Sequence, residues 1–243
     1  MSELQARTSM PLGSAVIKKR YFGEVVRQAA FMLAHFLKSL AKRASTDTVF
    51  NQYQDKLILA NLKAYISYLH QHNPEILLIG EAPGYRGCRL TGIPFTSGDI
   101  IRKAEHSIFK DRENEIGLRQ VVSENTATIL WNFLSTNKSL PILWNAFPFH
   151  PHQRGFPESN RKPDISEIDE GKTYLKTIYN LFKPEKLCSL GRVGESILKE
   201  VFPNEKIIYI RHPSHGGKKA FIEGMHKVYG SHCVSATWRK RAK

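Results

Sequence analysis

The fold is decided by an apolar run that ends in a tight turn, Ile76-Leu77-Leu78-Ile79 followed by Gly80-Glu81-Ala82-Pro83-Gly84. Four consecutive aliphatic residues that stop at a Gly/Pro turn are typical of a strand buried on both faces. Three other runs share this character and are bounded by Gly, Pro, Asn or charged residues: Ile142 to Trp144, Leu187 to Leu190 and Ile207 to Ile210. We therefore predict four short buried strands.

Helical spacing of apolar residues occupies the segments between these strands. The predicted helices are Ile100 to Phe109, Val121 to Leu134, Ile165 to Phe182 and Val193 to Val201. Strands that alternate with helices indicate a mainly parallel sheet covered on both faces. The expected fold is an α/β class, three-layer α/β/α sandwich with a central, mainly parallel four-stranded sheet.

Two further amphipathic helices, Tyr21 to Leu40 and Leu57 to Leu69, are predicted upstream of the sheet. A chain of 243 residues is long enough for one sizeable α/β domain with terminal additions. We expect residues 1–72 to form an N-terminal helical extension packed on the core. Residues 73–243 are expected to form the α/β/α domain.

The charge balance favours a polyanionic partner. Lys and Arg outnumber Asp and Glu by 36 to 22, which gives a formal net charge of +14. A basic surface that is merely solvated explains this balance equally well. No apolar run is long enough to cross a bilayer, and the N-terminus lacks the pattern of a secretory signal. The expected protein is soluble and intracellular, and we place it in the cytoplasm of a microbe.

The cysteines and histidines do not indicate a metal or a cofactor. Cys88, Cys188 and Cys233 are far apart and lack CxxC spacing, so we expect reduced, structural thiols. His150 and His152 have the HxH spacing of some metal sites, but no nearby carboxylate or thiolate completes a ligand shell. We predict no cofactor and no metal site.

Chemistry-bearing residues follow three of the four predicted strands. In an open parallel sheet, ligands bind beyond the carboxyl ends of the strands. These ends carry Gly80 to Gly84, then Gly92-Ile93-Pro94-Phe95-Thr96-Ser97, then Asn145-Ala146, and finally His212-Pro213-Ser214. The glycine turn alone also fits a nucleotide-handling enzyme of doubly wound fold, although GxGxxG and GxxxxGK[ST] are both absent.

Taken together and in this order, the four segments resemble the motifs of the uracil-DNA glycosylase superfamily. Gly80 to Gly84 is most similar to the thermophilic, iron-sulfur-type members, and the runs Asn160 to Pro163 and Leu190 to Arg192 also resemble segments of that group. The resemblance spans roughly Pro74 to Met225. The four cluster cysteines of that group are not present as a set, so no iron-sulfur cluster is expected.

The resemblance implies three roles at the base. Phe95 stacks on a base turned out of the duplex, which has lost its stacking partners. Asn145 reads uracil, because a carboxamide offers both a donor to O4 and an acceptor to the N3 proton. His212 donates to O2 as negative charge develops on the departing pyrimidine. Taken singly, each is also an ordinary structural residue: a core Phe, a turn-forming Asn and a His that caps a strand.

Water activation is less clearly encoded. Many superfamily members carry Asp or Asn where this chain has Ala82, although the iron-sulfur-type members share the Ala. We expect Glu81, and after it Asp99, to orient the water. The members with the strictest uracil preference carry a Tyr where Gly84 stands here, so exclusion of thymine is assigned to Glu81 or Tyr85.

The remaining predicted site residues surround the base or contact the DNA backbone. Gly80 and Ala82 complete the predicted base site. The predicted DNA contacts are Pro83, Gly84, Ser97, Ser214, His215, Gly216, Lys218 and Lys219. The residue that fills the gap left by a flipped base is not evident, and His215 is the candidate.

These roles imply a monofunctional DNA glycosylase that hydrolyses the N-glycosidic bond of uracil or a related deaminated base. No Lys in the recognised motifs is an obvious Schiff-base nucleophile, and the product would be an abasic site. We expect a monomer whose partner is DNA that contains such a base. Ala82 also motivates a second hypothesis, a catalytically weak or inactive DNA-binding protein of the same fold.

Overall fold

A computed structural model describes residues 12–137 and 139–230, with side chains from residue 27 onward. Cys233 therefore lies outside the described residues. The strands in this part of the chain are β1 (Val49–Phe50), β2 (Ile76–Gly80), β3 (Ile142–Asn145), β4 (His150–Pro151), β5 (Lys186–Leu190) and β6 (Ile207–Ile210). The helices are α1 (Leu12–Lys42), α2 (Lys56–His72), α3 (Cys88–Thr91), α4 (Gly98–Lys103), α5 (Ser107–Asp111), α6 (Asn125–Leu134), α7 (Ile165–Phe182), α8 (Arg192–Val201) and α9 (Lys218–Tyr229).

The central sheet has the strand order β3-β2-β5-β6, and all of its neighbouring strands are parallel. These are the four strands predicted from the sequence, and the α/β prediction is confirmed. The residues of β2 and β3 are buried throughout, as expected for strands covered on both faces.

Two glycines show how helices approach the sheet from opposite faces. A Cβ atom on Gly194 of α8 would lie 2.3 Å from the carbonyl oxygen and 3.5 Å from side-chain Cγ2 of Ile79, whereas one on Gly224 of α9 would meet Cγ2 of Ile210 at 3.0 Å. Ile79 is aligned with Ser189, and Ile210 is aligned with the next residue, Leu190. Consecutive strand residues point to opposite faces, so α8 and α9 cover different sides of the sheet.

The N-terminal helices pack against β3. The ring centroids of Phe36 in α1 and Trp144 in β3 lie 5.6 Å apart. The Tyr65 hydroxyl in α2 accepts a hydrogen bond from the backbone N–H of Leu143 at 2.8 Å and donates to the carbonyl oxygen of Pro141 at 3.3 Å. The hydroxyl thus satisfies backbone groups at the open edge of β3, where another chain would otherwise pair.

Local structure differs from the prediction in several places. The single helix predicted from Ile100 to Phe109 is two short helices, because Ala104 adopts a left-handed conformation with φ 48° and ends α4. Helix α6 begins at Asn125 rather than Val121, since the Glu124 carboxylate caps its first turn. The short pair β1 and β4 and the helices α3 and α9 were not predicted.

None of the helices in residues 12–137 and 139–230 combines the length and apolar character needed to cross a membrane. Cys88 and Cys188, the two cysteines in this region, are buried and unpaired.

Candidate active site

The carboxyl ends of the parallel strands border a cavity of about 620 Å³. Three separate chain segments bring Phe95, Asn145 and His212 to its wall. Nine of the predicted site residues line it in total: Glu81, Ala82, Pro83, Gly84, Phe95, Asn145, His212, Ser214 and His215. A cavity of this volume is in the range of small-molecule sites in proteins.

Phe95 is fixed against the end of β2. A Cβ atom on Gly80 would lie 2.1 Å from Cζ of the Phe95 ring, so only glycine leaves room for the ring at this position. Phe95 itself has a left-handed backbone with φ 55°, which is unfavourable for a bulky residue. Its loop is held in place because Nε1 of Trp131 donates to the Phe95 carbonyl and to the Thr96 hydroxyl, both at 3.1 Å.

Asn145 is the last residue of β3 and is aligned with Gly80 on the neighbouring strand. Its relative exposure is 3% and its side chain lines the cavity, where the carboxamide makes no hydrogen bond to another described residue. A buried amide normally has hydrogen-bond partners. The Asn145 carboxamide is therefore available to a ligand in the cavity.

His212 is held in one tautomer. Nδ1 accepts a hydrogen bond from the backbone N–H of Ser214 at 3.2 Å and also lies 2.7 Å from the Ser214 hydroxyl. A nitrogen that accepts from a backbone N–H carries no proton, so the proton of the neutral ring resides on Nε2. Burial lowers the pKa of His212, and the nearby Glu124 carboxylate opposes this effect. The imidazole is thus a neutral donor at neutral pH.

Glu81 is half-buried beside Ala82 at the end of β2. Burial raises the pKa of its carboxyl group, and the positive charge of Lys162 acts in the opposite direction. Glu81 lines the cavity, whereas the side chain of Ala82 has no group that can orient water.

The family model of the uracil DNA glycosylase superfamily matches residues 66–221. The chain belongs to the uracil DNA glycosylase superfamily. No curated protein sequence matches the chain significantly.

The fold is similar to that of a solved structure. The crystal structure of wild-type SMUG2 from Pedobacter heparinus matches the chain with a TM-score of 0.56. The match covers 82% of this chain and 97% of the SMUG2 chain, at 14% sequence identity. At this identity the similarity concerns the fold.

Several predicted site residues of this superfamily member do not line the cavity. Asp99 forms an ion pair with Lys103 at 2.8 Å on α4, and its position does not suit the orientation of water in the cavity. Ser97 is fully buried, so it is not accessible for the predicted DNA contact. The backbone N–H of Tyr85 donates to Oδ1 of Asn160 at 3.0 Å, but Tyr85 is not part of the cavity wall.

Other predicted residues lie behind or beside the cavity. Gly80 supports the Phe95 ring from behind. Lys218 and Lys219 are exposed in the first turn of α9, and Gly216 precedes them with φ 76°. These three residues do not line the cavity. Any contact that they make with a DNA backbone would therefore lie outside the base site.

The structure also adds residues that sequence reasoning did not assign to the superfamily site. Glu124, Arg192, Tyr209 and Arg211 all line the cavity. The Glu124 carboxylate accepts hydrogen bonds from the first turn of α6 and also acts electrostatically on His212. In the sequence it is only the residue before a helix, and no local signal connects it to His212.

The cavity wall near Asn160 is supported by a charged fork. Nη1 and Nη2 of Arg161 donate to the two carboxylate oxygens of Glu167 at 2.8 and 2.6 Å. Arg161 also donates to the backbone carbonyls of His152 and Thr48. These bonds connect α7 to the loop before it and to the N-terminal segment. The sequence run Asn160 to Pro163 contains Arg161, but the structural role of Arg161 depends on its bonds to Glu167.

The ring nitrogens of His150 and His152 lie close to backbone carbonyl oxygens behind this wall. Nδ1 of His150 lies 2.8 Å from the carbonyl oxygen of Pro83, and Nε2 lies 3.2 Å from that of Pro157. Nδ1 of His152 lies 3.0 Å from the Gln153 carbonyl. Among the described residues no group of three or more His, Cys, Asp or Glu side chains could hold a metal ion.

Proposed function

We propose that this chain is a monofunctional DNA glycosylase that removes uracil, or a related deaminated base, flipped out of DNA. The reaction hydrolyses the N-glycosidic bond and leaves an abasic site. One observation carries the proposal: an aromatic ring, an unbonded buried carboxamide and a neutral imidazole donor, from three distant segments, line a single cavity. Membership of the uracil DNA glycosylase superfamily supports it independently.

The three side chains match the chemical needs of a flipped pyrimidine. The Phe95 ring replaces the stacking that the base loses when it leaves the duplex. The Asn145 carboxamide donates to O4 and accepts from N3–H, a pair of bonds that thymine shares and cytosine lacks. Uracil is therefore distinguished from cytosine at Asn145, while the exclusion of thymine depends on the space near C5.

Bond cleavage leaves the electron pair of the glycosidic bond on the departing base, where O2 and O4 share the negative charge. In the proposed mechanism Nε2–H of His212 donates to O2 and stabilises this anion. Loss of such a donor typically costs a hundredfold or more in rate, that is, about 3 kcal/mol in the barrier. Burial lowers the pKa of His212 and so keeps the imidazole neutral, and the tautomer provides the donor on Nε2.

Water then adds to C1′ of the oxocarbenium-like sugar, and its proton is lost to a base or to solvent. Glu81 is the carboxylate that we assign to orient this water, because it lines the cavity beside Ala82. Lys162 also lines the cavity, so covalent attack by an amine is a distinct alternative. Borohydride trapping separates the two: hydrolysis leaves no covalent adduct, whereas a Lys162 Schiff base is trapped.

The test is excision from single- and double-stranded oligonucleotides that contain uracil, hypoxanthine, xanthine or a thymine mismatch, followed by alkaline cleavage at abasic sites. We expect cleavage at uracil, and loss of most activity in His212→Ala and Asn145→Ala with little change in DNA affinity. Tight binding without cleavage would support the alternative, an inactive DNA-binding protein of this fold. Unaltered turnover in both variants would refute the site assignment.

We also propose that the chain acts as a monomer. Residues 1–72 would serve as a structural extension of the α/β/α domain formed by residues 73–243. The packing of Phe36 on Trp144 and the pairing of β1 with β4 support a structural role for this segment.

A further inference from the structure

The loop that follows His212 offers little to fill the space that a flipped base vacates. Between Ser214 and the start of α9 it contains only His215, Gly216 and Gly217. Gly217 is packed so closely that a Cβ atom there would lie 2.1 Å from the His212 carbonyl oxygen. Proteins that extrude or kink bases often insert an apolar side chain into the stack. This loop provides none.

An exposed aromatic ring is present on a different loop. Phe156 has a relative exposure of 66%, and Phe31 on α1, at 72%, is the other exposed phenylalanine in the described residues. Single exposed apolar side chains are common in proteins and need no explanation by themselves. The position and rigidity of the Phe156 segment are what distinguish it from Phe31.

Two consecutive turns fix the backbone of Phe156. In the first, its N–H donates to the carbonyl oxygen of Gln153 at 2.9 Å, with Gly155 at φ 78° as a type II turn requires. In the second, the Phe156 carbonyl accepts from the N–H and the hydroxyl of Ser159 at 3.1 and 2.7 Å, with Pro157 at the position where proline favours a turn. The N–H of Gln153 then donates to the Ser159 hydroxyl and closes the segment.

The same segment is attached to the cavity wall. The buried His150 ring contacts the carbonyl oxygens of Pro83 and Pro157, and so joins the turn that follows β2 to the Phe156 loop. Asn160, four residues after Phe156, lines the cavity and accepts a hydrogen bond from the N–H of Tyr85. The Phe156 ring is therefore carried by a rigid loop that borders the cavity.

We propose that Phe156 inserts into the DNA base stack at the position vacated by the flipped base. The inference rests on the proposed function. It assigns the residue that fills the vacated space, which the loop after His212 does not supply. The occupant of this surface is duplex DNA: the exposed Lys162 beside the loop and the net charge of +14 favour a phosphate backbone. Every base has a π-face, so the ring can stack in DNA of any sequence.

The prediction concerns the difference between duplex and single strand, because only a duplex has to be opened and refilled. We expect Phe156→Ala to lower kcat/KM for excision of uracil from a duplex by about tenfold or more, the change that follows from losing one ring–base stack. Excision from a single strand should change much less. Phe156→Trp should restore the duplex rate. Phe31→Ala removes an equally exposed ring from α1, and both rates should then match those of the unchanged protein.

A second measurement does not depend on cleavage. The protein is titrated into a duplex in which 2-aminopurine lies opposite a tetrahydrofuran abasic-site analogue, so that an inserted ring disturbs the stacking of the fluorophore. We expect a fluorescence change with the unchanged protein and with Phe31→Ala, and its loss with Phe156→Ala at saturating protein.

The outcomes separate the two proposals. If the unchanged protein excises no base but changes the fluorescence of 2-aminopurine, and Phe156→Ala does not, the proposed function fails and the insertion stands. If the protein excises uracil and Phe156→Ala behaves like the unchanged protein in both assays, the insertion is refuted while the function stands. A duplex-specific loss in His215→Ala without one in Phe156→Ala also refutes it. Thermal unfolding at an unchanged Tm confirms that the variant is folded.

Discussion

Ser214 donates its backbone N–H to Nδ1 of His212 across 3.2 Å. This one bond decides the chemistry of the imidazole, because it leaves Nε2 as the protonated nitrogen of a neutral ring. Protonation of the ring would place a second proton on Nδ1, opposite a donor that cannot rotate away. The bond from Ser214 and the burial of the ring therefore both favour the neutral form of His212.

The first prediction concerns pH. Burial lowers the pKa of His212 below its ordinary value of about 6.5, so the neutral ring persists as pH falls past that value. Protonation at lower pH puts a proton on Nδ1, breaks the bond from the Ser214 N–H and releases the ring from its position. We expect the single-turnover rate on single-stranded uracil DNA to stay constant from neutral pH through about 6.5 and to decline below it.

Burial raises the pKa of the Glu81 carboxyl group, so protonation of Glu81 also contributes to the decline at acid pH. The Glu81→Gln variant removes that contribution, and the acid decline that remains in it belongs to His212. A decline centred above the ordinary histidine pKa in Glu81→Gln would contradict the assignment.

Glu81 itself should matter less than His212. A sugar that resembles an oxocarbenium ion is captured even by weakly activated water, so we expect Glu81→Gln to reduce the single-turnover rate at neutral pH by about ten- to a hundredfold. His212→Ala should reduce it more. Equal activity of Glu81→Gln and the unchanged protein would mean that another group orients the water.

Gly80 should be required for excision because it leaves room for the Phe95 ring. In Gly80→Ala the new methyl group would lie 2.1 Å from Cζ of Phe95 and 3.2 Å from Oδ1 of Asn145. The ring must then leave its position, and we expect excision to fall by about tenfold or more, as for the loss of one stacked base.

A double-mutant cycle checks this mechanism. In a Phe95→Ala background the same Gly80→Ala change should cost much less, because the ring that it displaces is already gone. Fully additive losses would show that Gly80 acts independently of Phe95. Thermal unfolding of each variant separates a local change in the site from a loss of the fold.

The Arg161–Glu167 fork should stabilise the wall of the cavity. Glu167 is 7% exposed, so Arg161→Ala leaves a buried carboxylate without its cationic partner, a change that typically costs about 3 kcal/mol in the free energy of unfolding. Urea denaturation measures it. The pair Arg154–Asp47 is exposed on both sides, and Arg154→Ala should change stability little. Equal stability losses in the two variants would contradict the structural role of the fork.

DNA affinity should depend steeply on salt, and the side chains on the rim of the cavity should account for part of this dependence. Each Lys or Arg that neutralises a phosphate contributes a slope of about 0.9 in log K against log salt. We expect Lys162→Ala and Arg211→Ala each to reduce the slope by about this amount. Lys63→Ala, on the exposed face of α2, should leave it unchanged. A flat salt response of the unchanged protein would argue against a DNA partner.

The sheet could be predicted because each strand is a local signal. The runs at Ile76, Ile142, Leu187 and Ile207 are apolar, short and bounded by turn residues, and all four form the parallel sheet. Shorter features escaped prediction. Strands β1 and β4 have two residues each, too few for any periodicity, and their pairing depends on contacts between distant segments.

Part of the site was also predictable. A parallel sheet aligns the carboxyl ends of its strands, so residues that follow different strands are expected to meet at one edge, as Phe95, Asn145 and His212 do. The same rule gives no information on side-chain direction. Asp99 and Ser97 follow the same loop as Phe95, yet the turn into α4 directs one into an ion pair with Lys103 and buries the other.

The sequence by itself determined the strands, their parallel arrangement and the edge at which the chemistry gathers, because these depend on local apolar patterns and on the geometry common to all parallel sheets. The tertiary structure alone decided the tautomer of His212, the contact between Gly80 and the Phe95 ring, and the proximity of Glu124 to the imidazole. These properties arise from backbone directions and packing between residues that are distant in the chain, and no local pattern encodes them.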